Sequence, residues 1–251
     1  MKWRGGSSLM VTRINSSQDR SANVFAGKKS LLLDMNSTFM FGEDRFGDSE
    51  DFSKHYFKIG GTCQPEEINR IIHATYAYLD CRYLDEGYRH NFPSVESAVR
   101  EVAGQKLGES EIDKIVTTFA FHELGHIPPD YVVALHELRQ RFTLAAVIDI
   151  WSPKKAWLEA FENAGVAGLF SATSFSSDHG MVKPSPKPFE LVLGQLGIRN
   201  TEAVVVGDSS ARDLVGARSA GIDCILVGGA KHPDALESFG SLLELCRAIH
   251  S

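Results

Sequence analysis

The sequence predicts an α/β fold, a parallel sheet between helical layers with an all-helical insertion after its first strand. Three observations predict it. After about residue 141 the chain repeats an apolar strand, a turn and an amphipathic helix, the pattern of a parallel sheet covered by helices. Residues 31–38, LLLDMNST, form an apolar run that reads as a buried strand and stops on one carboxylate, Asp34. Between that run and Phe142 no alternating strand pattern occurs, and apolar residues recur at intervals of three and four.

Taken in order, residues 1–27 are rich in Ser, Asn, Arg and Gly, lack the continuous apolar region of a secretory signal, and are expected to form a flexible extension. The core is expected from 28–40 and 141–251, and the helical cap from 41–140. Within the cap, Ile68, Ile71, Ile72, Tyr76 and Leu79 make one helical stripe, Val95, Ala98, Val99 and Val102 a second, and Ile112, Ile115, Val116 and Phe119 a third. Pro128 and Pro129 then break the chain before a helix carrying Val132, Leu135 and Leu138. The core strands are expected at Phe142–Ile148, Gly168–Thr173, Ala203–Val206 and Cys224–Val227. Ser152 with Pro153, and Ser185 with Pro186, read as helix starts, while Gly165, Gly197 and Gly221 read as helix ends.

At 251 residues and 43% hydrophobic content, the chain can bury a full core. Its formal charge of -6 argues against a nucleic-acid partner, whose backbone recruits Lys and Arg. The four cysteines lack CxxC spacing, which predicts buried thiols in a reducing compartment rather than a zinc site or disulfide framework. No apolar run approaches the roughly 20 residues that span a bilayer. The expectation is a cytoplasmic protein with no membrane partner; the oligomeric state is left open.

Ligands of open α/β sheets bind outside the carboxyl ends of the strands. Asp34 falls there after LLL, and Asp208 after AVVVG, with Asp213 five residues later. Converging carboxylates repel one another, so a functional cluster calls for a cation, and an all-oxygen site suits magnesium. Lys183, in GMVKPSP, supplies positive charge for an anionic substrate. In their order, LLLDMNST, MVKPSPKPF and VVVGDSSARDLVGARSAGI resemble motifs one, three and four of the haloacid dehalogenase-like superfamily, over about Lys28 to Gly228.

That resemblance implies a three-layer Rossmann-like parallel-sheet core with an α-helical cap of the family's first type. It implies Asp34 as a nucleophile that forms a covalent intermediate. Mg2+ would be held by Asp34, the backbone carbonyl of Asn36, and Asp208, with Asp213 supporting the site. Ser37 and Thr38 would fix the loop around a small anionic substrate, and Lys183 would bridge nucleophile and substrate.

Two residues depart from the family's phosphatases. Asn36 stands where they place an acid/base Asp, and an amide cannot transfer the proton. The second motif, TLAAVID, ends on Ile148 or Asp149 according to register, where the family carries a Ser or Thr. Three readings follow: a slow phosphatase; dehalogenase or phosphotransfer chemistry whose leaving group needs no proton; and a binding or interaction protein without turnover. In FMFGEDRFGDSEDF, the plain reading is hinge packing with solvated charges, and the sharper one is that Arg45 binds a substrate anion. His122 and His126 lack a third ligand for zinc, and Trp151 and Trp157 read as packing residues.

Overall fold

A computed structural model describes residues 24–104 and 107–250. Six strands, β1 (Ser30–Leu33), β2 (Thr143–Ile148), β3 (Phe170–Phe175), β4 (Ala203–Gly207), β5 (Asp223–Leu226) and β6 (Glu237–Ser238), form one sheet in the order β3-β2-β1-β4-β5-β6. All five pairings are parallel. β1 lies at the centre between β2 and β4, with Leu33 opposite both Ala146 and Val206.

Side chains alternate across a strand, so β1 feeds both faces of the sheet. Leu31 and Leu33 join one core with Leu135, Leu138, Trp157, Phe161 and Leu245, while Leu32 joins the opposite core with Phe189, Val192 and Ala217. The first face is covered by α5 (Pro129–Arg141), α6 (Lys155–Asn163) and α10 (Leu242–His250). The second is covered by α8 (Lys187–Leu196) and α9 (Val215–Ser219), and α7 (Ser176–His179) is a single turn that follows β3. Together they make the three layers.

The insertion contains α1 (Ser53–Lys58), α2 (Pro65–Tyr83), α3 (Val95–Ala103) and α4 (Glu109–Glu123). These four bury a core of their own, in which Phe52, Tyr56, Ile68, Ile72, Val99 and Phe119 meet. α5 packs against the sheet instead, because its Ala134, Leu135 and Leu138 face Phe142 and Leu144 rather than the cap core. The expected span of 41–140 therefore holds both a separately packed helical unit and one helix of the sheet's own layer.

Several local expectations shift. β3 begins two residues later than expected, since residues 167–169 form a short 3₁₀ turn. The β6 strand has no sequence signal; it is two residues long and carries an exposed glutamate. Ser152 does not cap α6; its backbone N–H donates to Glu123 instead, and the helix begins three residues later. Ser185 does accept the Lys187 N–H at 3.3 Å, ahead of α8, and Gly197 closes that helix with a left-handed φ of 65°. The four cysteines are free thiols, but only Cys224 and Cys246 are buried as expected; Cys63 is half-buried and Cys81 exposed. The expected flexible extension at 1–27 lies outside the described residues up to position 23.

Because Leu32 is fully buried in the central strand, Leu32→Ala is expected to cost about 2–5 kcal/mol, the usual range for such a cavity. Urea denaturation of the two proteins measures it.

Candidate active site

The sheet brings the acidic residues together. β1 and β4 are adjacent and parallel, and the Asp34 N–H continues their ladder by donating to the Val206 carbonyl at 2.8 Å. Asp34 therefore leaves β1 beside Asp208, which follows the last residue of β4. After Asp208 the chain makes a wide helical turn, Ser210–Leu214, that returns Asp213 to the strand end. Gly207 allows this approach: a Cβ there would lie 2.4 Å from the Asp213 carboxyl.

Lys183 closes the cluster. Its ammonium donates to Asp34 and, at 2.8 Å, to Asp213, and all three side chains are almost wholly buried. Asp213 also accepts the Ser209 N–H at 3.0 Å, and the Thr38 hydroxyl lies 3.4 Å from Asp34. Burial raises the Asp34 carboxyl to about 7; the Lys183 charge opposes the rise, and Asp213 and Asp208 add to it. Burial alone would lower the Lys183 ammonium, but Asp213, Asp34 and Asp149 outweigh it and hold the group charged. Asp208 is raised by burial and by Asp213.

Carboxylate oxygens of Asp34, Asp208 and Asp213 lie within 4.8 Å of one another. This donor set fits magnesium, a hard cation that takes oxygen ligands.

A cavity of about 140 Å³ adjoins the cluster, with Asn36, Tyr83, Asp149, Trp151, Asp208 and Arg212 on its walls. Asn36 presents a side-chain carbonyl that is buried and has no partner among the described residues. Ser37, in a left-handed conformation with φ 55°, donates to Glu43 at 3.2 Å. β2 ends at Ile148, so Asp149 is the residue that reaches the cavity. Its Oδ2 accepts the Tyr83 hydroxyl at 2.7 Å and the Lys183 N–H at 2.9 Å. Burial is the main cause that raises the Asp149 carboxyl.

Arg45 does not enter the cavity, which corrects the expectation that it binds a substrate anion. Its guanidinium is spent on backbone carbonyls: NH1 donates to Gly42 at 2.8 Å and to Leu124 at 2.7 Å, and NH2 to Phe121. Arg45 thus ties the hinge to the end of α4. The cation on the cavity wall is Arg212, one residue before Asp213 in GDSSARD, where its place beside a motif carboxylate was the available signal. Tyr83 and Glu123 carry no such signal. Tyr83 ends a long amphipathic helix like any core aromatic. Glu123 ends α4 and accepts the Trp151 N–H at 2.5 Å and the Ser152 N–H at 2.9 Å, which fixes the loop after β2.

Comparison with known proteins bears on this geometry. A family profile described as haloacid dehalogenase-like hydrolase matches residues 66–227. The chain belongs to that family. The matched span includes Asp149, Lys183, Asp208 and Asp213 and begins after Asp34. Among curated relatives of the family, a phosphoserine phosphatase of Thermus thermophilus is 30% identical over 148 residues, 58% of this chain and 59% of its own length. The pyrophosphatase PpaX of Halalkalibacterium halodurans is 28% identical over 135 residues, 50% of this chain and 60% of its own. The chain thus spans about six-tenths of the length of these relatives. Among solved structures, a 2-haloacid dehalogenase from Pseudomonas syringae pv. Tomato aligns with a TM-score of 0.63 at 21% identity, over 89% of this chain and 98% of that one. The L-2-haloacid dehalogenase of Xanthobacter autotrophicus aligns with a TM-score of 0.56 at 18% identity, over 89% and 99%. At these identities the likeness is one of fold.

Glu123 gives the site a pH signature. Burial raises its carboxyl to about 7, although the Ser152 and Trp151 hydrogen bonds oppose the rise. The unfolded value is roughly 4.3, so the folded state binds this proton more tightly. Its contribution to stability is full below that value and is lost as the pH rises through about 7. Urea denaturation across this range should show wild type losing on the order of 2–3 kcal/mol more than Glu123→Gln as the pH rises.

Proposed function

We propose that this protein is a magnesium-dependent phosphohydrolase with Asp34 as its nucleophile, acting in the cytoplasm on a small phosphorylated metabolite. The observation that carries this reading is the buried Asp34–Lys183–Asp213 cluster beside Asp208, at the carboxyl ends of parallel strands in a chain of this family. The relatives named phosphatases, of phosphoserine and of ribulose-1,5-bisphosphate among others, support a phosphate-bearing substrate.

In this reading Asp34 attacks phosphorus while Lys183 neutralises charge on the nucleophile and on the incoming anion. Asp34, Asp208 and Asp213, with the Asn36 backbone carbonyl, would hold the magnesium ion, which supplies further positive charge at the transferring group when bound. Ser37 and Thr38 hold the loop that carries the nucleophile. Asp149 faces the cavity as a hydrogen-bond acceptor, and Arg212 is the residue that meets the substrate's anionic portion. The helical insertion acts as the cap, closing over the strand ends and excluding water.

Asn36 favours a second reading, in which the site binds a phosphorylated ligand with little turnover or acts on leaving groups that need no proton, such as halide or an acyl phosphate. A phosphate-release and halide-release screen with Mg2+ separates the two. Turnover that Asp34→Asn abolishes is the expected result, and a higher rate of Asn36→Asp on alkyl phosphomonoesters would show that a positioned acid/base is limiting in wild type. Release of neither ion across a broad panel, with Asp34→Asn still binding inorganic phosphate, would overturn the hydrolase reading.

A further inference from the structure

Any reaction at Asp34 that expels an alkoxide needs a proton donor, and Asn36 is not one. The cavity walls offer few replacements. Glu123 is tied to two backbone N–H groups, and Glu43 accepts from Ser37. Asp44 also lines the cavity, and burial of its carboxyl raises it to about 6, but no hydrogen bond among the described residues holds its side chain toward the strand ends. Tyr83 differs from all of these. Its ring is fixed by edge-on contacts with Phe92 and Trp151, each 5.7 Å between centroids. Its hydroxyl lies 2.7 Å from the Asp149 carboxyl and accepts from the Arg212 guanidinium at 3.3 Å. Burial and the Asp149 charge hold the Tyr83 hydroxyl well above the usual range, while Arg212 and Lys183 oppose the rise.

We infer that Tyr83 is the general acid and base of this site, delivered by the cap in place of the acid missing at Asn36. This inference rests on the phosphohydrolase reading above. In the first step a bond forms between Asp34 and phosphorus, the bond from phosphorus to the leaving oxygen breaks, and that oxygen takes the Tyr83 proton. The products are an alcohol, a phosphoryl-aspartate and a tyrosinate. An alkoxide is a far stronger base than the Asp149 carboxylate, so it captures the hydroxyl proton that Asp149 otherwise holds. Arg212, already hydrogen-bonded to the phenolic oxygen, stabilises the anion that remains. In the second step water attacks phosphorus, the bond to Asp34 breaks, and the tyrosinate takes the proton from water. Tyr83 is thereby restored and inorganic phosphate released.

The arrangement also couples chemistry to cap position. Tyr83 is the last residue of α2, whereas Asp149 and Arg212 belong to loops after β2 and β4, so the hydroxyl is in place only when the cap lies over the sheet.

The test compares wild type, Tyr83→Phe and Asp34→Asn, with Mg2+, on glycerol 2-phosphate and p-nitrophenyl phosphate. Phenylalanine keeps the ring packing, and near-ultraviolet circular dichroism monitors it. For Tyr83→Phe we expect kcat on the alkyl ester to fall about 10²–10⁴-fold with KM little changed. On p-nitrophenyl phosphate, whose leaving group needs no proton, it should release one nitrophenolate per site in a burst and then stall, because water attack lacks its base. A burst with p-nitrophenyl phosphate and none with glycerol 2-phosphate is a signature that a packing role would not produce. If Tyr83→Phe slows the first step equally on both substrates, or leaves kcat unchanged, Tyr83 is not the acid/base even though Asp34→Asn is inactive. If Asp34→Asn remains active, or wild type turns over neither ester, the underlying phosphohydrolase reading fails and this inference falls with it.

Discussion

The structure of the site depends on a buried ammonium. A lysine enclosed by protein keeps its charge only when carboxylates repay the lost hydration, and removing one partner of such a pair typically costs about 3–5 kcal/mol. Lys183 has two partners, Asp34 and Asp213, from distant parts of the chain. Its own backbone N–H donates to a third acid, Asp149. One residue therefore joins the ends of β1, β2 and β4. The remaining acid, Asp208, is not part of this ion pair, so the cluster sets three carboxylates against one ammonium, a donor set that fits a further cation.

The same surplus continues up the cavity. Its walls add Glu43, Asp44, Glu123 and Asp149 against the one guanidinium of Arg212. Each acid that is enclosed answers in its own way. Glu123 and Asp149 accept backbone N–H groups and shift toward their neutral forms, whereas Asp213 is held by ammonium and amide. Hydrogen bonds that fix these acids also fix the cap. Glu123 joins the end of α4 to the loop after β2, and Tyr83 joins the end of α2 to the same loop.

How much of this was legible in the sequence varied with the range of the forces involved. The strands and their acids were readable because an apolar run that stops on Asp is a local pattern, and because parallel strands place their ends on one side. The order GDSSARD placed Asp208 and Asp213 together for a similar reason. Arg45 and Arg212 show the limit. Both are arginines near a motif, and nothing local says that one will meet a carbonyl of its own hinge and two at the end of α4 while the other reaches the cavity. Tyr83 was invisible for the same cause, since only the meeting of the end of α2 with the loop after β2 brings its hydroxyl to Asp149. The cap's helices were readable by periodicity, but α5 shares that periodicity and packs with the sheet, so spacing alone could not divide the two layers.

Acid-quenched mass spectrometry shows whether Asp34 is the group that bonds to the substrate. Protein mixed with Mg2+ and p-nitrophenyl phosphate, then quenched in acid and digested, should carry the mass of one phosphoryl group on the peptide containing Asp34. Turnover accompanied by a phosphoryl group on another residue, or by no covalent adduct even in a variant stalled before water attack, would contradict it.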